Sequence, residues 1–241
     1  MVYSFAHGST VYFLGRPRRF GKSLLISTFE NYFLGKKELF KGLAIEKLET
    51  EWKTYPVFHI DFGTGSYANE DALNQIFEFY LSGWEKKYQI EREPGVTDYN
   101  LRFKKVLEEA HRQTGLRAVV LVDEYDKPLL DVMDTGYMVE HLGEQITLEE
   151  KNRNMLRAFY STFKGADKHL QFVFLTGVTK FSQVSVFSDF NQPNDISMSP
   201  KYDTICGITD EELEQTFSQQ IEELAAVYDY TGEKMRAVLK K

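Results

Sequence analysis

An α/β fold in three layers, with helices on both faces of a mostly parallel sheet of about five strands, is what this sequence predicts. Three observations lead there. Short apolar runs rich in β-branched residues alternate with stretches whose apolar residues recur at helical spacing, the pattern of repeated strand and helix units. One run, Val11-Tyr12-Phe13-Leu14, leads through a loop bearing Gly-Lys-Ser into a helical stretch. Another, Ala118 to Val122, ends in two acids, Asp123 and Glu124.

The first strand opens into Arg16-Pro17-Arg18-Arg19-Phe20-Gly21-Lys22-Ser23, and a helix is expected from Leu24 to Leu34. A loop that turns into a helix N-terminus aims several backbone N–H groups at one point, where the helix dipole adds positive charge. Residues 16–23 together with Leu24 are therefore the expected phosphate-binding segment. In this arrangement Lys22 reaches the β- and γ-phosphates, and the Ser23 hydroxyl ligates Mg²⁺. The general pattern G-x-x-x-x-G-K-[ST] has glycine where Arg16 stands, and Gly15 is one residue out of register. Arg16, Arg18 and Arg19 add three cations to the loop. Guanidinium groups suit phosphate oxygens bidentately. One of them stabilises the departing phosphate from within the chain, or they project outward to an acidic partner; the sequence leaves both open.

Gly35 to Tyr55 is a charged, loosely patterned connection, and Pro56 precedes a second strand over Val57 to Phe62. Gly63-Thr64-Gly65-Ser66 breaks the chain. From Glu70 to Gln89 apolar residues recur at helical spacing, an aromatic stripe read as core. A further helix covers Thr97 to Thr114, with Gly115 ending it. The third strand, Ala118 to Val122, reads as buried on both faces. At its end Asp123 is expected to bind Mg²⁺ through water or directly, and Glu124 to orient and deprotonate the water that attacks the γ-phosphate. Asp126 and Lys127 either pair with the arginines across the site or lie on the surface. Asp131 to Thr147 is expected as loop or short helices, and Thr147 caps a helix that Gly165 closes.

Leu170 to Leu175 is the fourth strand. Thr176 at its end is either a polar sensor of the γ-phosphate or water, acting in catalysis with Lys22 and Glu124, or an ordinary strand-end threonine. Residues 181–204 form a polar connection, Thr204 to Gly207 a short fifth strand, and Thr209 caps a final helix. The expected division is a nucleotide domain over 1–208 and a C-terminal helical segment over 209–241, the start of a truncated lid or extension. His59 and His169 read as structural histidines, with no zinc spacing.

These motifs resemble the AAA-ATPase-like domain family of bacteria and archaea, a P-loop NTPase family. The resemblance rests on residues 16–23 as an unusual Walker A loop, Val57 to Phe62, and Asp123-Glu124-Tyr125-Asp126-Lys127-Pro128 as Walker B. Leu175 to Ser182 and Cys206-Gly207-Ile208-Thr209 extend it. Family members resemble this chain in carrying arginine in place of the loop glycine. The resemblance implies ATP, with Mg²⁺, rather than a guanine nucleotide. It also implies a nuclease-like domain of the PD-(D/E)XK type in many members, which has no match in these 241 residues.

The bulk properties narrow the function classes. A net charge of −7 argues against generic polyanion binding, so nucleic acid is not an expected partner. A single cysteine, Cys206, permits no internal disulfide and points to a reducing, cytoplasmic setting. No apolar run reaches membrane-spanning length. The expected function is Mg-dependent ATP hydrolysis. The alternative is a nucleotide-responsive binding module with little turnover, acting on a protein partner, on another copy of itself, or on a lost nuclease domain.

Overall fold

A computed structural model describes residues 2–8, 10–92, 95–179 and 194–239. A short helix α1 (Val2–Ala6) precedes strand β1 (Val11–Gly15), which feeds helix α2 (Lys22–Phe33). The connection after α2 is less loose than its composition suggests, holding a 3₁₀ turn at Lys37–Phe40 and helix α3 (Ala44–Leu48). Strand β2 (Val57–Asp61), helices α4 (Ala72–Lys87) and α5 (Tyr99–Thr114), and strand β3 (Ala118–Asp123) follow. Gly115 ends α5 in the left-handed conformation, φ 70°, where its missing Cβ avoids strain.

After one helical turn, α6 (Lys127–Leu130), the segment expected as loop is an antiparallel hairpin of β4 (Met138–His141) and β5 (Glu144–Thr147). Its strands alternate weakly, and only Val139 is buried in either. The turn is carried by Leu142 and Gly143, both at positive φ (53° and 84°), as two-residue hairpin turns require. Helix α7 (Leu148–Gly165) starts where the Thr147 hydroxyl accepts the Glu150 N–H at 3.1 Å. Strand β6 (Leu170–Gly177) comes next.

The fifth strand is not at residues 204–207. It is β7 (Asn194–Asp195), two exposed polar residues paired with β1. Residues 204–207 form turns instead, with Ile205 N–H bonded to the Tyr202 carbonyl at 3.2 Å and Gly207 at φ 92°. The polar connection expected over 181–204 lies outside the described residues as far as 193.

The five strands are all parallel, in the order β2-β3-β6-β1-β7. Strand β6 thus lies between the strand leading to the phosphate loop and the strand ending in the acids. Side chains alternate between the faces. Phe58, Ile60, Val120, Val122, Val173, Leu175 and Phe13 enter one core with α4, α5 and α7. There Phe159 stacks on Phe77 (4.5 Å) and Phe103 (4.9 Å). The aromatic stripe of α4 is core, as its spacing implies. On the other face Phe172 and Phe174 meet Phe29 of α2, and Phe174 also meets Phe5 of α1. Each fully buried phenylalanine contributes roughly 1.5–3 kcal/mol.

Contacts divide the chain into Met1–Ser199 and Pro200–Lys241. In the second unit, helices α8 (Asp210–Val227) and α9 (Gly232–Leu239) pack through Ile221, Ala225, Met235 and Leu213. Thr209 and Glu212 form a reciprocal capping box at the start of α8. Among the described residues no helix is long and apolar enough to cross a membrane.

Candidate functional site

Parallel register brings the C-terminal ends of the strands to one edge: Gly15 pairs with Gly177, and Asp61 with Asp123. Open α/β sheets bind ligands at this edge. The loop from β1 to α2 sits there. Arg19 (φ 66°) and Gly21 (φ 81°) both take the left-handed conformation, and Gly21 stands at the N-cap of α2. A Cβ on Gly21 would meet nothing within 4 Å, so glycine is favoured there by backbone conformation, not by space.

Helix α2 begins without a side-chain cap and without an acid in its first turn. Its first N–H groups and the positive end of its dipole therefore face the loop without an N-cap side chain or an acid of the helix's own first turn to compensate them. Lys22 is buried, 6% exposed, and its ammonium donates to the Arg16 and Pro17 carbonyls, each at 3.0 Å. The ammonium is thus folded back onto the loop it follows. Ser23, Leu24, Pro17, Arg18, Arg19 and Phe20 are exposed around it.

Arg16, standing where the general motif has glycine, turns its guanidinium to the Ser197 carbonyl. Its own N–H donates to the Gly177 carbonyl at 3.1 Å, and the Gly15 N–H donates to the Ser197 hydroxyl at 2.7 Å. The three loop arginines therefore do not act alike: Arg16 ties down the root of the loop, while Arg18 and Arg19 are exposed.

At the end of β3, Asp123 is 4% exposed, and one of its oxygens accepts both the Thr176 hydroxyl (2.5 Å) and the Glu124 N–H (3.0 Å). Thr176 is fully buried, and its hydroxyl orients this carboxylate from the neighbouring strand. Glu124 takes a positive φ of 51°, which turns its side chain out of the strand direction at the moment the chain leaves the sheet. Its carboxylate lies over Gly63, where a Cβ would come within 3.1 Å of Glu124 Oε2 and 2.8 Å of Asp61 Oδ1. Burial, then the neighbouring Asp123 and Asp61 charges, raise the Glu124 carboxyl above its ordinary value; Lys127 and Lys22 act in the opposite sense.

Asp61 belongs to this site, although the residue pattern assigned it no role. It ends β2 beside Asp123, and its Oδ1 accepts the Gly63 N–H at 2.7 Å. An acid closing an apolar run, the signal that marks Asp123, was present for Asp61 as well. Asp126 corrects both alternatives expected of it, and Lys127 corrects only the pairing with an arginine. Asp126 is 1% exposed and bonded to Val178 and Thr179, not to an arginine; Lys127 pairs with Asp131 at 2.6 Å. His59 meets Glu30 at 3.2 Å and His169 meets His111 at 3.0 Å, so both histidines serve packing contacts.

Among the described residues, no group of three or more His, Cys, Asp or Glu is arranged to hold a metal. One carboxylate and one hydroxyl, Asp123 and Ser23, match the way Mg²⁺ is commonly held by few protein oxygens together with substrate phosphates.

Comparison with known proteins adds the following. A family model described as predicted AAA-ATPase matches residues 1–187. An uncharacterized protein from the vnfD 5′ region of Azotobacter chroococcum mcd 1 is 36% identical over 235 residues, which is 93% of this chain and 43% of that protein. The chain therefore spans less than half the length of that curated relative.

Proposed function

The chain belongs to the AAA-ATPase-like family of predicted ATPases, and from that premise we propose that it binds ATP and hydrolyses the β–γ phosphoanhydride with Mg²⁺. The observation that carries this reading is Lys22: a buried ammonium that, among the described residues, donates to two loop carbonyls at the mouth of a helix without a side-chain cap. Phosphate oxygens supply the anionic partner that those carbonyls stand in for, and the α2 N–H groups gain acceptors in the same step.

In the proposed site the N–H groups of residues 16–23 and Lys22 bind the phosphates, with Arg18 and Arg19 free to swing toward them from the exposed side of the loop. Ser23 and Asp123 would hold Mg²⁺, which when bound would supply charge neutralisation at the transferring phosphoryl group. Thr176 keeps the Asp123 carboxylate in one orientation through its 2.5 Å hydrogen bond. Glu124 orients a water in line with the γ-phosphate and takes its proton, and its raised pKa makes it a better base than an exposed glutamate. The work is positioning and electrostatic stabilisation, with no covalent intermediate on the chain.

Equilibrium titration with a fluorescent ATP analogue tests the binding half of the proposal. The wild-type chain is expected to bind with Mg²⁺, and Lys22→Ala to weaken binding by about 100-fold, the loss of a charged phosphate contact of roughly 3 kcal/mol. Equal affinity in the two proteins would remove Lys22 from the site. The second reading is a nucleotide-responsive module with little turnover, and the observation favouring it is that more than half of the Azotobacter relative lies outside the matched segment. In that reading the same site signals to a partner domain, and binding survives without phosphate release.

A further inference from the structure

Asp126 stands outside the phosphate- and metal-binding set, yet one distant loop gives it three hydrogen bonds. Its Oδ2 accepts the Val178 N–H at 2.9 Å, the Thr179 N–H at 2.6 Å and the Thr179 hydroxyl at 2.6 Å. The residue is 1% exposed. A carboxylate withdrawn from water this far is tolerated only when donors replace its hydration, and bonds to a charged acceptor are roughly twice as strong as neutral ones. The loop after β6 is therefore held in the one arrangement that serves this charge.

Packing closes the same joint. A Cβ on Gly177 would lie 2.3 Å from the Tyr125 ring and 2.8 Å from Asp126 Oδ1, so only glycine lets the two strand ends meet. The Tyr125 hydroxyl lies 3.1 Å from the Thr179 hydroxyl, and the Tyr125 N–H donates to the Thr176 carbonyl at 2.9 Å. The far side of the loop touches the root of the phosphate loop. The Gly177 carbonyl accepts the Arg16 N–H at 3.1 Å, and a Cβ on Gly15 would come within 3.2 Å of the Thr179 carbonyl.

We propose that Asp126 is a positioning residue that clamps residues 177–179 between the acidic strand end and the root of the phosphate loop. The clamp keeps Lys22 and Ser23 in a fixed register with Asp123 and Glu124. It acts on the hydrolytic site and so rests on the ATPase reading for its consequence, while the clamp itself is a property of the chain without nucleotide.

The test uses the full chain as wild type, Asp126→Ala, Thr179→Val and the double variant. Thr179→Val removes one of the three bonds, together with the hydroxyl contact to Tyr125, at nearly constant volume. Two readouts are taken: amide hydrogen exchange without nucleotide, and the kinetics of phosphate release from Mg-ATP, normalised to folded protein. Asp126→Ala is expected to speed exchange about tenfold both over 177–179 and over 15–21, leaving 99–114 at the wild-type rate. Its kcat is expected to fall by roughly 10- to 100-fold with KM within about threefold, because register and not ground-state binding is lost. Thr179→Val is expected to shift both readouts in the same direction by less, and the double variant to be no worse than Asp126→Ala. Faster exchange confined to 177–179, faster exchange throughout the chain, or an unchanged kcat overturns the proposal. If the wild type releases no phosphate, the ATPase reading fails on its own account, and exchange over 15–21 then decides the clamp. Should Asp126→Ala fail to fold, Thr179→Val carries both comparisons.

Discussion

Glu124 shows how a single residue acquires a task from its surroundings. Desolvation and the charges of Asp123 and Asp61 destabilise its ionised form, so its carboxyl titrates above the ordinary glutamate value of about 4.3. A general base works only when deprotonated. In the chain without nucleotide or metal, Glu124 is therefore expected to take up its proton, as pH drops, at a higher pH than an exposed glutamate does. Asp61→Asn keeps the acceptor for the Gly63 N–H and removes one of the raising charges, so the Glu124 titration, followed by carboxyl NMR in the same ligand-free chain, should move to lower pH. A titration that stays in place, or moves upward, would separate Asp61 from Glu124. The positions of the β1–α2 loop and of the acid pair at the end of β3 were legible because each follows an unmistakable apolar run. Asp61 carried the same signal in weaker form, before a Phe-Gly break. The partners of Asp126 were not legible at all, since they lie 52 and 53 positions away in the chain.

The element scale is governed by how helices lock onto one another. Arg102 of α5, 6% exposed, forms a two-pronged pair with Glu85 of α4 at 2.7 and 2.9 Å and reaches Glu78 at 2.6 Å. Arg92 joins both acids. Removing Glu85 takes away two of the three bonds of this buried guanidinium and leaves it Glu78 alone, so Glu85→Ala should cost about 3 kcal/mol in urea unfolding, whereas replacing Arg102 and Glu85 together by apolar residues should cost much less. Equal losses in the two proteins would contradict this. The hydrogen bond from Arg102 lowers the Glu78 carboxyl to about 2. A carboxylate depressed in the folded state stabilises above its unfolded value of about 4.3 and loses that contribution as pH falls toward about 2. The wild type should lose stability through this window, and Glu78→Gln should lose less. Helices α4, α5 and α7 were legible from their long apolar periodicity. The β4–β5 hairpin and the two-residue β7 were not, because neither has an apolar face of its own to print on the sequence.

At the scale of the whole molecule, the strand order decides what the residues can do together. Placing β6 between β1 and β3 sets Thr176 against Asp123 and Gly177 against Arg16, so loop and acids are joined through one central strand. The all-parallel sheet puts these ends on one edge, and both faces are sealed by helices, which leaves that edge as the place for chemistry. The alternation of elements made this architecture readable, and strand order was the part that local patterns could not supply. Hydrolysis of ATP at this edge is decided by phosphate release from Mg-ATP by the purified chain, measured beside Lys22→Ala and Glu124→Gln. Wild-type turnover is expected, with Glu124→Gln slower by about 100-fold or more and no release from Lys22→Ala at moderate ATP. Wild-type release no faster than that of Glu124→Gln would contradict it and leave a nucleotide-binding module in its place.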